Sequence, residues 1–373
     1  MTAELDVAVN LLWLAPGRVG GSEQYLVRQL TGLPSHSGIA PRLMCQRAFL
    51  SAHPDLAERY PTKAWSFDRD WRGMRILAEH TWLPARTLTA DVVHHGGGTV
   101  PLAAPRPIVL TIHDVQYLAH PEYFSVGRRA YLRWMVPRSV RRAAVVAVPS
   151  DFVRRSVIDA FHVAADRVVI VPHGVPDAAP VDAATTDAVR RRFGVATRPY
   201  LVYPAITHPH KGHAVLIDMM TMLDGDFALV LMGGAGASEA EVRAAIGDRG
   251  LSGRVIRTGR LPDAERDALI AGAAALVFPS EYEGFGAPLV EAMTFDTPVV
   301  SSAQLAVREV VGDAAVLVSE DAAAFGEAWA AAVGIALDRR DELVAAGRVR
   351  CRRYSLDASG RALAAAYRQA ADG

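Results

Sequence analysis

Glu283-Gly284-Phe285-Gly286-Ala287-Pro288-Leu289-Val290-Glu291 places two carboxylates eight residues apart, separated by a glycine turn and a helix start. The residues before it, Ala274-Ala275-Leu276-Val277-Phe278-Pro279, are short, apolar and β-prone, which predicts a buried parallel strand ending near Ser280. Glu283 then belongs to the loop that follows. Gly284 and Gly286 can take positive φ and let the main chain approach a ligand, and Pro288 suits the first position of a helix reaching Phe295. Unpaired N–H groups at such a helix start, on the carboxyl edge of a parallel sheet, suit a diphosphate. Glu291, one turn further in, can accept hydrogen bonds from ribose hydroxyls.

Outward from this segment, short apolar strands alternate with helix-length stretches, the pattern of α/β units around mainly parallel sheets, and the pattern occurs twice. The first half predicts strands at Val7 to Leu14, Arg42 to Gln46, Val92 to His95, Ile108 to Ile112, Val145 to Val148 and Val168 to Val171. Helices are expected near Glu23 to Leu33, Arg72 to Leu88, Val126 to Arg142 and Asp151 to Phe161, with Ser22 and Ser150 as N-caps of two of them. The second half predicts strands at Tyr200 to Tyr203, Ala228 to Leu231, Val255 to Thr258, Leu276 to Phe278, Pro298 to Val300 and Ala315 to Val318. The expected organisation is a first Rossmann-like domain over residues 1–175, a linker over 176–198, a second over 199–354, and a closing helix within 355–373 that crosses back to the first. Two doubly wound domains facing a cleft follow, because ligands of such sheets bind outside the carboxyl ends of the strands.

The acid pair, together with Lys211 about seventy residues earlier, resembles the donor site of the GT-B fold glycosyltransferases of family 4. Gly20-Gly21-Ser22-Glu23 is similar to that family's N-terminal glycine loop, and His113-Asp114 to its strand-end histidine segment. Val171-Pro172-His173-Gly174-Val175 is similar to the last strand of the first domain, Pro209-His210-Lys211-Gly212 to the donor-site lysine motif, and Leu231-Met232-Gly233-Gly234 to the strand-glycine turn. The resemblance implies a retaining, metal-independent transfer of a hexose from a nucleoside diphosphate sugar, with GDP-mannose as the donor, to a hydroxyl of a glycan or lipid-linked acceptor. It assigns Lys211, Glu283 and His113 to catalysis. Glu291, His210, Gly233, Gly234 and the N–H groups of Gly284, Phe285 and Gly286 go to the donor, and Gly20 and Gly21 to acceptor or phosphate. It departs from the pattern at Ala205, where many relatives carry an arginine; His208 or His210 could supply a second donor there, although a histidine in a turn is more often simply solvated. His173 is read as structural.

Composition agrees with a soluble two-domain enzyme. The chain has 373 residues, 51% of them hydrophobic, and equal numbers of acidic and basic residues, so no global charge draws it to nucleic acid. Cys45 and Cys351 are too few for a disulfide framework or a zinc site, and no signal peptide or membrane anchor is read at the N-terminus, which together suggest the cytoplasm. Asp68-Arg69-Asp70 spells an acid-x-acid metal motif but stands in the first half, far in sequence from the donor segment, and reads as a charged turn. His94-His95 lacks a third ligand at zinc spacing, and neighbouring strand residues point to opposite faces. No metal or other cofactor is expected.

Residues 128–142 carry six arginines with Tyr131, Trp134 and Met135 interleaved and no acid, a basic helix with an apolar side interrupted near Pro137. Such a helix suits either the inner face of the cytoplasmic membrane as a peripheral contact or a solvated surface. Two other activities fit a two-domain nucleotide cleft: an isomerase like the non-hydrolysing nucleoside diphosphate sugar 2-epimerases, and a binding protein without catalysis. The first would need more acids and histidines for proton abstraction, and the intact Lys211, Glu283 and Glu291 argue against the second.

Overall fold

The computed structural model describes residues 4–17, 21–65, 72–105, 107–179, 181–223 and 226–373, so Gly20 and the Asp68-Arg69-Asp70 motif lie outside the described residues. The chain forms two compact units, one of residues 1–174 with 354–373 and one of residues 175–353.

The first unit is built on strands β1 (Leu5–Asn10), β2 (Ile39–Gln46), β3 (Thr62–Trp65), β4 (Val92–His95), β5 (Ile108–Thr111), β6 (Val145–Val148) and β7 (Val168–Ile170). They form one parallel sheet in the order β3-β2-β1-β4-β5-β6-β7, whose direction of winding reverses between β1 and β4. β4, β5 and β6 are buried at every position, because helices cover both faces. Ser150 caps the helix Asp151–Phe161 by accepting from the Val153 N–H.

β1 ends earlier than the apolar run suggests. The Asn10 side chain accepts from the Leu12 N–H at 3.1 Å and the Trp13 indole donates to the Asn10 carbonyl at 3.0 Å, an Asx-type turn that stops the strand while Leu11 to Leu14 stay buried. Arg72 to Leu88 is not one helix. It divides into Arg72–His80 and Trp82–Thr87, and the break puts Pro84 in a first turn, where a missing N–H costs nothing. Ser22 is inside the helix Gly21–Thr31 and does not cap it. The helix Val126–Arg142 runs through Pro137 without interruption, since Met135, Val136, Ser139 and Val140 are buried on either side of the proline.

The closing helix, Leu356–Asp372, packs Leu363, Ala364, Ala366, Tyr367 and Ala370 into the core of the first unit. It approaches so closely that a Cβ on Gly360 would stand 2.0 Å from the Gly32 carbonyl oxygen, and one on Gly32 would stand 1.9 Å from that of Leu356. Only glycine fits at both places. His94 is held between the Tyr367 hydroxyl and Thr111 Oγ1, each at 2.8 Å, so a strand histidine anchors the helix.

The second unit has β8 (Tyr200–Tyr203), β9 (Ala228–Met232), β10 (Val255–Gly259), β11 (Ala275–Phe278), β12 (Val299–Ser302) and β13 (Val316–Val318), parallel and ordered β10-β9-β8-β11-β12-β13. The stretch expected as a linker contributes to it: the helix Ala183–Arg192 and the following loop place Val189 and Val195 in this core.

Burial pushes His94 and His95 down to about 3, helped by neighbouring positive charge from His95 and His113 on the one and Arg142 on the other. Their folded values lie below the ordinary 6.5, so between those limits the unfolded chain binds protons that the folded chain refuses. Their contribution to stability is complete above pH 6.5 and is lost as pH falls, at about 1.4 kcal/mol per pH unit for each histidine. Urea unfolding between pH 7 and 4.5 should therefore show falling stability, and His94→Gln should flatten the slope by about one proton. Equal slopes in both proteins would contradict this.

Candidate functional site

β8 and β11 are neighbours, so the loops that leave their carboxyl ends meet. After β8 the chain makes a 3₁₀ turn, Pro209–Lys211, and enters the helix His213–Met222 through Gly212 at φ 65°. A Cβ at Gly212 would stand 2.6 Å from the Pro279 carbonyl oxygen, so the two loops touch backbone to backbone. The His210 carbonyl accepts from the Glu281 N–H at 2.8 Å and from Ser280 Oγ at 3.3 Å, and the Tyr203 hydroxyl donates to the Lys211 carbonyl at 2.7 Å. Burial, and next the Glu283 charge, raise the Tyr203 phenol well above its ordinary value and keep it a donor.

On this seam Lys211 Nζ lies 2.5 Å from Glu283 Oε1, with side chains 18% and 15% exposed. Lys211 and Glu283, chosen separately in the sequence, are thus one ion pair at the head of two strands.

Gly286, at φ 90°, begins the helix Ala287–Thr294, with Pro288 in its first turn. The Phe285 ring is buried, which leaves only its main chain to face a ligand. Glu291 is half-buried in the second turn. Arg266, on the helix Asp263–Ala271, is in electrostatic contact with it: burial works against the guanidinium charge, but Glu291, then Asp267 and Asp263, outweigh it and raise Arg266 above its ordinary value. Asp267 is raised by its own burial first, against the lowering influence of Arg266, with Glu291 and Asp263 adding to the rise.

Gly233 donates to the Gly259 carbonyl at 3.1 Å, and a Cβ on it would stand 2.1 Å from the Ala205 carbonyl oxygen. Gly234 accepts from the Thr207 N–H at 3.4 Å. These two glycines therefore lie against the 205–208 loop that leads to Lys211. Thr207 extends the seam, accepting from the Gly236 N–H at 2.7 Å and donating to Glu239, which also pairs with Arg257 at 2.7 Å. The His208 and His210 rings stack with centroids 5.9 Å apart, and burial, then Lys211, lower the His208 imidazole. Tyr203, Arg266 and Thr207 were not singled out from the sequence, and Gly212 was read there only as the end of the lysine motif, not as the residue that lets the two loops touch.

In the first unit His113 Nε2 lies 2.9 Å from the Gly96 carbonyl, which can only accept, so the proton is on Nε2 and Nδ1 is an acceptor. Burial lowers this imidazole; the Gly96 hydrogen bond and Asp114 oppose the fall. Trp13 and Tyr25 flank the ring at 5.9 and 5.2 Å. Gly21 opens its helix without steric demand, whereas Glu23 in that first turn accepts from the Gly17 N–H and pairs with His53 at 2.8 Å. His173 is buried against Tyr25, ring centroids 4.4 Å apart. His94 and His95 face different partners, Tyr367 and Asn10. Among the described residues no group of three or more His, Cys, Asp or Glu is placed to hold a metal.

The Gly212 geometry gives a stability test. Gly212→Ala should cost more than about 1 kcal/mol, from positive φ and the contact with Pro279. Gly234→Ala, where a Cβ meets nothing within 4 Å, should stay within roughly 0.5 kcal/mol. Urea denaturation of the two variants decides it; equal effects would contradict the described seam.

Two family models match the chain: Glycosyltransferase Family 4 over residues 19–179 and Glycosyl transferases group 1 over residues 186–349. The O-antigen chain mannosyltransferase B of Escherichia coli is 31% identical over 278 residues, covering 72% of this chain and 68% of the relative. The O-antigen chain mannosyltransferase RfbU of Salmonella typhimurium is 24% identical, covering 69% and 67%. Anabaena Alr3699/HepE, solved in complex with UDP and glucose, superposes with a TM-score of 0.75 at 21% identity over 96% of this chain and 98% of its own, and supports the GT-B fold. With both family models accounted for by its two units and a relative above 30% identity along most of its length, the chain belongs to the group 1, family 4 glycosyltransferases and is a transferase of GT-B fold.

Proposed function

We propose that this enzyme transfers a hexose, mannose from GDP-mannose being the first donor to test, to a hydroxyl of a glycan or lipid-linked acceptor, with anomeric retention and without a metal ion. The Lys211–Glu283 pair carries the reading. Without donor, the ammonium is neutralised by the carboxylate, so neither charge is left unmatched in a mostly buried place. A diphosphate brings more negative charge than one carboxylate and draws Lys211 to itself. Charge that builds on the leaving diphosphate is then met by a fixed cation, and Glu283, released, accepts from a sugar hydroxyl. The names of the two O-antigen relatives support mannose. Neither the epimerase-like nor the binding-only alternative is favoured by membership of this family.

In this reading Glu291 exchanges its electrostatic contact with Arg266 for ribose hydroxyls, and the glycine N–H groups at 284 and 286 face the diphosphate. His113 acts as a neutral acceptor toward the donor sugar, which its lowered imidazole suits. Gly20 and Gly21 are assigned to acceptor or phosphate, and His210 and Gly233-Gly234 to positioning the donor.

Lys211→Ala should lower turnover at saturating donor by about a hundredfold or more. Glu291→Ala should weaken donor and free nucleotide together, by about 1.5 to 3 kcal/mol, because a charge-assisted hydrogen bond is lost. Radiolabelled GDP-mannose and a glycan acceptor, assayed with EDTA present, give the readout. A rise in KM alone for Lys211→Ala, unchanged nucleotide affinity for Glu291→Ala, or activity that requires added manganese would each refute its part.

A cytoplasmic enzyme resting on the membrane surface is the proposed setting. No helix among the described residues is long and apolar enough to cross a membrane. Arg133 and Arg141 are exposed on the Val126–Arg142 helix on the side that carries Trp134, 60% exposed, and Val126, 75% exposed, so basic and apolar groups share one surface, and Arg128 is exposed in the first turn. Binding to vesicles with anionic lipid should fall with added salt and with Arg128→Glu plus Arg133→Glu. Equal partitioning to neutral vesicles would leave this helix simply solvated.

A further inference from the structure

At the opposite edge of the second sheet, where β8 and β11 begin, lies a shallow, open cleft of about 520 Å³ lined by Arg190, Arg198 and Arg340 together with Pro199, Gly272 and Ala274. The strands here are four residues long, so the cleft lies ~13 Å from their carboxyl ends at about 3.3 Å per residue, and it is separate from the Lys211–Glu283 pair.

All three arginines are half-buried, and among the described residues none forms an ion pair. The nearby carboxylate, Asp296, is lowered first by its hydrogen bonds from Arg348 and is engaged by that guanidinium through both oxygens, at 2.7 and 2.6 Å; Arg340 acts on it only as a weaker neighbouring charge. The guanidinium groups are positioned by main-chain carbonyls instead. Arg190 donates to Ala196 at 3.1 Å, Arg198 to Gly253 at 2.9 Å, and Arg340 to Ala274 at 3.1 Å and Asp296 at 3.3 Å. Arg190 Nε and Arg198 Nε are buried without any partner. Each guanidinium has five N–H donors, so most remain unused.

Three positive groups share this place with neutral acceptors as their hydrogen-bond partners, and the one neighbouring carboxylate, Asp296, is already taken by Arg348, so the cleft carries positive charge that an anion would match. A phosphate group, with several strong acceptor oxygens and up to two charges, matches guanidinium forks in both geometry and charge. We propose that this cleft is a binding site for a phosphate-bearing small molecule, distinct from the donor site. Its volume exceeds the need of a single phosphate and admits a pyrophosphate or a phosphorylated sugar. The occupant would sit at the foot of the two strands whose heads carry Lys211 and Glu283.

The test uses the full chain carrying Lys211→Ala, so that the donor-site ammonium does not compete. Calorimetric titration with pyrophosphate should show binding that weakens roughly tenfold or more in Arg198→Gln/Arg340→Gln. Thr197→Glu, at an exposed residue of the rim, should do the same by supplying a competing carboxylate, and covers the case in which the double variant fails to fold. Phosphatidylglycerol vesicles form the second arm. Pyrophosphate binding lost in Thr197→Glu supports the site. Pyrophosphate affinity unchanged in Thr197→Glu, or vesicle binding lost in that variant with no pyrophosphate bound, overturns the assignment to a small molecule.

Discussion

The donor side of this enzyme depends on the seam between the loops leaving β8 and β11. Gly212 lies on the Pro279 carbonyl, Glu281 and Ser280 donate to the His210 carbonyl, and Tyr203 holds the Lys211 carbonyl. These contacts fix two backbones, and the Lys211–Glu283 pair is the consequence. A mostly buried pair of opposite charges gains little net stability, because desolvation offsets the attraction. Its value is positional: each charge waits where a ligand of the right sign can exchange with its partner. Arg266 beside Glu291 repeats the device on the neighbouring helix, so both carboxylates of the motif are electrostatically matched before any donor arrives.

The first unit relies on close packing of backbone instead. Gly32 and Gly360 let the closing helix approach the Gly21–Thr31 helix to a distance that any side chain would forbid. His94, fully buried between Tyr367 and Thr111, gives that apolar contact a direction, and Ser359 adds a hydrogen bond to the Pro172 carbonyl at 2.5 Å. Neutral imidazoles make this arrangement suitable near neutral pH and sensitive to acid. His113, half-buried, is also held neutral, and its bond to Gly96 keeps one ring nitrogen available as an acceptor.

The sequence by itself determined the elements whose signals are local. Runs such as Val145 to Val148 and Tyr200 to Tyr203 are legible as strands because helices cover both faces and every position must be apolar. The acid pair was legible because its glycines, its proline and the strand before it are contiguous. β3 was missed: it is a partly exposed edge strand without a continuous apolar run, and the Arg72 to Leu88 pattern hid the break that Pro84 imposes. Only the tertiary structure decided that Lys211 meets Glu283, that Tyr203 and Gly212 hold them, and that Arg266 faces Glu291. The Lys211 contacts depend on β8 lying beside β11, although β9 and β10 come between them in the chain, and the Arg266 contact on how the helices before and after β11 pack. Strand order is set by how whole helices pack across the sheet, and no single stretch of sequence carries that information.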